Sequence, residues 1–193
     1  RAQMDRLAER DLVAYAGTEL EFIVFRDSYE EAWNKAYRDL EPANYYNVDY
    51  SMLGTARVEP LVRRIRNSMA AAGMKVENAK GECNFGQHEI NFLYGPVLET
   101  ADNHSIYKTG AKEIAWEEGC AITYMAKFDE REGNSCHIHL SIRDSDDNPT
   151  FDDSFLAGQL ACMRELTLFY APNINSYKRF VEGSFAPTAV AWG

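Results

Sequence analysis

Gly17-Thr18-Glu19-Leu20-Glu21-Phe22-Ile23-Val24-Phe25 is apolar enough for a buried strand, yet it carries two carboxylates. Successive strand residues point to opposite sides. Glu19 and Glu21 therefore share one face, while Leu20, Phe22 and Val24 share the other. A second stretch repeats the pattern: in His137-Ile138-His139-Leu140-Ser141, the two histidines and Ser141 share a face, with Ile138, Leu140 and Ile142 behind them. Polar groups on an apolar strand are costly unless something pairs with them, and neighbouring carboxylates repel. A divalent cation answers both problems, so these faces point to a metal and phosphate site. A third stretch, Glu82-Cys83-Asn84-Phe85-Gly86-Gln87-His88-Glu89, places a glycine turn between two carboxylates. Alone it reads more readily as a solvated loop. Together the stretches offer carboxylates and imidazoles without a thiolate cluster, an oxygen-rich set that suits Mg²⁺ or Mn²⁺.

The rest of the chain suits a soluble enzyme. Its 193 residues, 46% hydrophobic and 12% aromatic, suffice for one domain with its own core. A net charge of −10 argues against nucleic acid or an anionic membrane as partner. There is no run of apolar residues long enough to span a bilayer, and the charged start Arg1 to Arg10 has no signal-peptide core. Cys83, Cys120, Cys136 and Cys162 are scattered, which fits reduced thiols in a cytoplasmic protein and small buried side chains without a chemical role. The chain starts without Met and stops at Ala191-Trp192-Gly193, which reads as mid-strand, so a fragment of a longer protein is expected.

Periodicity predicts helices over 2–14, 58–72, 102–118 and 154–170. Leu7, Leu12 and Val13 form the inner side of the first, Pro60 and Gly73 bound the second, and Asp102 or Asn103 caps the third. Strands are predicted over 17–25, 74–78, 89–94, 121–128, 136–143 and 186–192. A polar insertion over 27–50 holds a helical piece near 29–39, and loops are predicted over 79–88 and 173–180. Strands and helices do not alternate strictly. The expected class is α+β, with a curved antiparallel or mixed sheet and helices packed on one side.

Taken in order, the motifs resemble the glutamine synthetase family. They are Gly17-Thr-Glu-Leu-Glu-Phe22, Glu82-x-x-x-Gly86-Gln87-x-Glu89, Gly133-Asn-Ser-Cys-His137-Ile-His139-Leu-Ser141 and Asn175-Ser-Tyr-Lys-Arg179, followed by Ala186-Pro187. The resemblance covers the front and middle of the family's catalytic domain. It implies an ATP-dependent ligase that phosphorylates the γ-carboxylate of glutamate before an amine displaces the phosphate. By position it implies Glu21, Glu82 and Glu89 around a first Mg²⁺ or Mn²⁺, and Glu19 with His137 around a second that bridges the ATP phosphates. His139 and Ser141 would contact nucleotide and phosphate, with Glu77 and Tyr94 on the ribose and adenine side. Gly133 would offer backbone to the amino-acid head. Arg179 would pair with the substrate carboxylate, which a guanidinium does well; its ordinary alternative is a surface cation.

Two departures from the family pattern matter. Ammonia-using members carry an acidic flap residue six positions after this Arg; here that position is Phe185, and a Phe cannot act as a base. Glu182 lies three residues away. The usual Asn-Gly-Ser-Gly-Met-His run is Glu132-Gly133-Asn134-Ser135-Cys136-His137. An apolar flap suits a larger, partly aliphatic amine, so the resemblance leans towards γ-glutamyl-amine ligases such as γ-glutamylpolyamine synthetases. Tyr45 aligns with a Tyr lining the ammonium site, and reads equally as a packed loop residue. The alternatives are an ammonium-using glutamine synthetase with Glu182 as base, a non-catalytic assembly protein, and, remotely, an iron site built on His137 and the glutamates. The resemblance also implies a homo-oligomeric ring with active sites between subunits. A β-grasp domain before Arg1, and phosphate-gripping arginines with a last metal ligand after Gly193, are expected to complete the enzyme, so these residues alone are not expected to turn over. The segment 149–155 is shorter than the family usually has.

Overall fold

The computed structural model describes residues 1–45, 50–150 and 152–186. Helix α1 (Ala2–Ala8) is shorter than its periodicity predicts. The chain leaves it through Asp11, at φ 56°, and from Leu12 it is already extended in β1 (Leu12–Phe25). Leu12 and Val13 are thus strand residues. Their place is decided by pairing with residues 143–144 far along the chain, a tertiary contact that local periodicity cannot register.

After β1 come α2 (Tyr29–Asn34), α3 (Met52–Ala56), α4 (Glu59–Ala71), β2 (Val76–Gly81), β3 (Gln87–Phe92) and β4 (Gly95–Pro96). Then follow α5 (Val97–Glu117), β5 (Ala121–Thr123), β6 (Cys136–Asp144), α6 (Asp153–Tyr170) and α7 (Ile174–Tyr177). β1 is the spine of the sheet. Its first part pairs with β6 from Leu12↔Asp144 to Leu20↔Cys136 and with β4 at Tyr15 and Ala16. Its last part pairs with β3 and β5, and β2 adds to β3. Every pairing among the described strands is antiparallel.

Several boundaries differ from the sequence reading. The loop predicted over 79–88 is a hairpin whose connection is only 82–86. The strand predicted over 121–128 stops at Thr123, because side chains take over its backbone. Asn134 donates to the carbonyls of Thr123 and Met125, and Asn175 bonds both the N–H and the carbonyl of Lys127. α5 begins five residues before the Asp102 signal, tied to β1 by the Thr100 hydroxyl, which donates to the Ala16 carbonyl at 2.9 Å. The predicted loop 173–180 contains α7, capped by Asn173. α3 answers to no expected element. The strand predicted over 186–192 lies, beyond Ala186, outside the described residues.

The core explains the orientation of the site. Leu20, Phe22 and Val24 pack with Leu61, Val62, Ile65 and Met69 of α4 and with Tyr107, Ala111, Ile114 and Ala115 of α5. Phe22, Ile65 and Ile90 are fully buried, each contributing roughly 1.5–3 kcal/mol. With that face of β1 committed to two helices, Glu19 and Glu21 must emerge on the other. Among the described residues, no helix is long and apolar enough to cross a membrane.

Candidate active site

The β1–β6 register sets Glu19 opposite His137 and Gly17 opposite His139. His137 Nδ1 and His139 Nε2 each lie 3.1 Å from a Glu19 carboxylate oxygen. Partial burial alone would raise the Glu19 carboxyl, but the hydrogen bond to His137 and the charges of both imidazoles bring it below its usual range. Two residues on, the β1–β3 register sets Glu21 opposite Glu89, and the β2–β3 hairpin delivers Glu82. Ligand oxygens of Glu21, Glu82 and Glu89 all lie within 4.8 Å of one another, and all three residues are buried.

Each carboxylate is held. The Ser135 N–H (2.7 Å) and hydroxyl (2.6 Å) and the Gln87 amide (3.0 Å) donate to Glu21. Asn91 donates to Glu89 at 2.6 Å. The Lys80 ammonium sits 2.8 Å from Glu82 and 3.1 Å from Glu89. Burial pushes the Glu82 carboxyl up to about 7; Lys80 opposes this without cancelling it, and Glu21 and Glu89 push the same way. A single ammonium therefore leaves the cluster with surplus negative charge. Buried, all-oxygen and over-charged, the donor set fits Mg²⁺ or Mn²⁺. Gly86, at φ +67°, carries the chain between Glu82 and Glu89 so close to β1 that a Cβ there would collide with the Val24 carbonyl oxygen.

A cavity of about 430 Å³ adjoins this face. Glu19, Glu77, Tyr94, His139 and Ser141 all line it, so the structure brings together the whole expected nucleotide side. Tyr15 and Arg143 complete a wall: the guanidinium lies 5.2 Å from the Tyr15 ring and donates to the Tyr94 hydroxyl at 3.4 Å. Such a surface suits a planar base.

On the other side, Gly133 and Arg179 are in contact. A Cβ on Gly133 would collide with the Ala126 carbonyl and come 3.0 Å from Arg179 Cγ, so the glycine is required for the approach. Burial lowers the Arg179 guanidinium from its ordinary value, against the charges of Glu21 and Glu132. Its Nε–H is buried and has no partner among the described residues. Arg179 lines a second cavity, of about 340 Å³, with Asn134, Ser135 and Cys136. A guanidinium with a buried, unpaired N–H beside such a space has the chemistry to pair with a carboxylate.

Tyr45 is placed elsewhere. It meets Phe85 edge-on at 5.8 Å and lines a different cavity with Asp129 and Arg131. Phe185 is exposed, and its backbone N–H donates to the Glu132 carboxylate at 3.0 Å. Glu182 is exposed. Residues the sequence reading passed over include Lys80, Asn91, Ser135 and above all Gln87. The Gln87 amide lies within 3.0 Å of Glu21, the Gly133 carbonyl and Asn134 Oδ1, joining the carboxylate cluster to the loop beside Arg179. Strand alternation was the available signal: Gln87, Glu89 and Asn91 share a face, as do Lys80 and Glu82.

Comparison with known proteins agrees with the resemblance carried by the ordered motifs. The model of the glutamine synthetase catalytic domain matches residues 1–193. The chain is 63% identical to the gamma-glutamylethanolamide synthetase GlnA4 of Streptomyces coelicolor, over 100% of this chain and 44% of that protein. It is 34% identical to a glutamate–isopropylamine ligase of a Pseudomonas species, over 100% of this chain and 45% of the relative. The solved structure of a GmaS/ADP complex superposes with a TM-score of 0.82 at 28% identity, covering 98% of this chain and 45% of that one. The chain thus spans less than half the length of these relatives.

Proposed function

The chain belongs to the glutamine synthetase family, and from that premise we propose that the whole protein is an ATP-dependent ligase joining the γ-carboxylate of glutamate to a small organic amine. The observation that carries this reading is the linkage of the Glu21/Glu82/Glu89 cluster to the Gly133–Arg179 contact through Gln87 and Ser135. It supports reading a cation site beside a carboxylate receptor, the neighbourhood that phosphoryl transfer to a carboxylate needs.

In this reading Glu21, Glu82 and Glu89 hold one Mg²⁺ or Mn²⁺, and Glu19 with His137 holds part of a second. Such ions neutralise the charge of ATP and of the transferring phosphoryl group. The cavity lined by Glu77, Tyr94, His139 and Ser141 takes the nucleotide. Arg179 pairs with the carboxylate of glutamate, and the Gly133 backbone meets its amino-acid head. The residues described supply one part of a catalytic domain, and we place the complete site between subunits of a homo-oligomer.

The amine is proposed to be a small monoamine such as ethanolamine. Phe185 removes the acidic flap residue that suits ammonium, and the relatives at 63% and 34% identity are named for ethanolamine and isopropylamine. Neither name supports a polyamine, the class towards which the sequence motifs leaned. The test is phosphate release by the full-length protein with ATP, Mg²⁺ and glutamate, comparing ammonium, ethanolamine, isopropylamine, putrescine and spermidine. Turnover is expected with a monoamine. Ammonium used as efficiently as any organic amine would overturn the proposal.

A further inference from the structure

We propose that Glu132 is the proton acceptor for the incoming amine, an inference that rests on the ligase reading above. A primary amine is cationic near neutral pH and must lose a proton before its lone pair can attack. At the flap position where an acid would take that proton, this chain has Phe185. A carboxylate from the facing loop is bonded to the backbone at that position: the Phe185 N–H donates to Glu132 Oε2 at 3.0 Å. Among the described residues Glu132 Oε1 has no hydrogen-bond partner, so one oxygen anchors the flap and the other is available.

The position is fixed from beneath. The Glu132 carbonyl accepts from Asn84 at 2.6 Å, and the Gly133 carbonyl accepts from Gln87 at 3.0 Å. Both donors belong to the β2–β3 connection and β3, which also carry Glu82 and Glu89. Arg179 feels the charges of both Glu132 and Glu21, and the Asp129 carboxylate shares the Asn84 amide with the Glu132 carbonyl. Glu132 therefore stands on the side of the cluster where the substrate carboxylate would be gripped. The exposed Phe185 ring offers an apolar cover for an alkyl chain whose cationic end meets Glu132.

The step balances as follows. R–NH₃⁺ gives one proton to Glu132. The nitrogen lone pair then forms the C–N bond to the carbonyl carbon of γ-glutamyl phosphate. The C–O bond to phosphate breaks, and phosphate leaves with the electron pair. The second proton of the attacking nitrogen goes to the departing phosphate, and Glu132 returns its own proton to solvent.

The experiment uses the full-length enzyme and Glu132→Gln, whose amide oxygen still accepts from the Phe185 N–H, so the anchor survives while the base is lost. Two nucleophiles are compared: ethanolamine, and hydroxylamine, which is uncharged near neutral pH and needs no base. Glu132→Gln is expected to lower kcat with ethanolamine by about 100-fold or more and to lose far less with hydroxylamine. The ethanolamine deficit should shrink as pH rises and free amine accumulates. Glu132→Asp, which keeps a carboxylate, should recover part of the ethanolamine rate. Equal losses with both nucleophiles, or no loss, would overturn the assignment, leaving Glu132 a flap anchor at most. Failure of the wild-type enzyme to form hydroxamate from ATP, glutamate and hydroxylamine would instead overturn the ligase reading itself, and this inference with it.

Discussion

Lys80 holds its ammonium between two buried carboxylates, 2.8 Å from Glu82 and 3.1 Å from Glu89. Removing one partner of a buried pair leaves the other charge uncompensated, at a cost of about 3–5 kcal/mol when both are fully buried. Lys80 is 31% exposed, so solvent screens part of this, and Lys80→Met should cost about 2 kcal/mol in metal-free stability. The variant should also gain more in Tm on adding Mg²⁺ than the wild type does, since the cation then takes over the whole neutralisation. Thermal unfolding with chelator and with Mg²⁺ reads both effects; an unchanged metal-free Tm would show that Lys80 is an incidental neighbour. Gln87 and Arg179 make the same point about position. An amide near three acceptors and a guanidinium with an unpaired buried N–H are each chemically ordinary until their surroundings are known.

At the scale of elements, β1 decides the site. One strand buries Leu20, Phe22 and Val24 against α4 and α5 while presenting Glu19 to β6 and Glu21 to β3. The β2–β3 connection must then pass close over β1, which it does at Gly86, φ +67°. Gly86→Ala would force both a left-handed backbone at a residue with a Cβ and a collision with the Val24 carbonyl. The first alone costs about 1–3 kcal/mol, and relief of the second would move Glu82 relative to Glu89. We expect a fall in Tm together with weaker Mn²⁺ binding in a calorimetric titration. Retention of wild-type Mn²⁺ affinity would argue that the connection does not set the cluster. The element scale is also where sequence reading fell short. The helix predicted over 2–14 contains Leu12 and Val13, whose partners Asp144 and Arg143 lie far away in sequence. The strand predicted over 121–128 is cut short by Asn134 and Asn175, side chains that no window around it includes.

Across the whole molecule, apolar surface is unevenly covered. α4 and α5 are packed, but α6 and α7 leave Leu156, Leu160, Leu168, Phe169 and Ile174 exposed, with Phe169 at 80% and Leu168 at 72%. Isolated exposed apolar residues are unremarkable, but several on one helix mark a surface that meets something else. The chain spans less than half the length of its relatives, which supplies a source for the cover. Expressed as these 193 residues, the protein should enhance the fluorescence of an apolar-surface dye strongly, and the full-length protein should do so far less. Equal enhancement by both would mean that α6 stays uncovered in the full-length protein.

The sequence by itself determined which residue types share a face. Strand alternation put Glu19 with Glu21 and His137 with His139, and ordered motifs announced the family, because these signals lie within a few consecutive residues. Only the tertiary structure decided who meets whom. Glu19 reaches His137 through a register set by strands more than a hundred residues apart. Arg179 reaches Gly133 because that residue has no side chain, and the Glu132 carboxylate meets the Phe185 N–H from a distant loop. Periodicity is a property of neighbours in the chain, whereas a register or a close approach is a property of neighbours in space, and packing selects it only when the whole core forms.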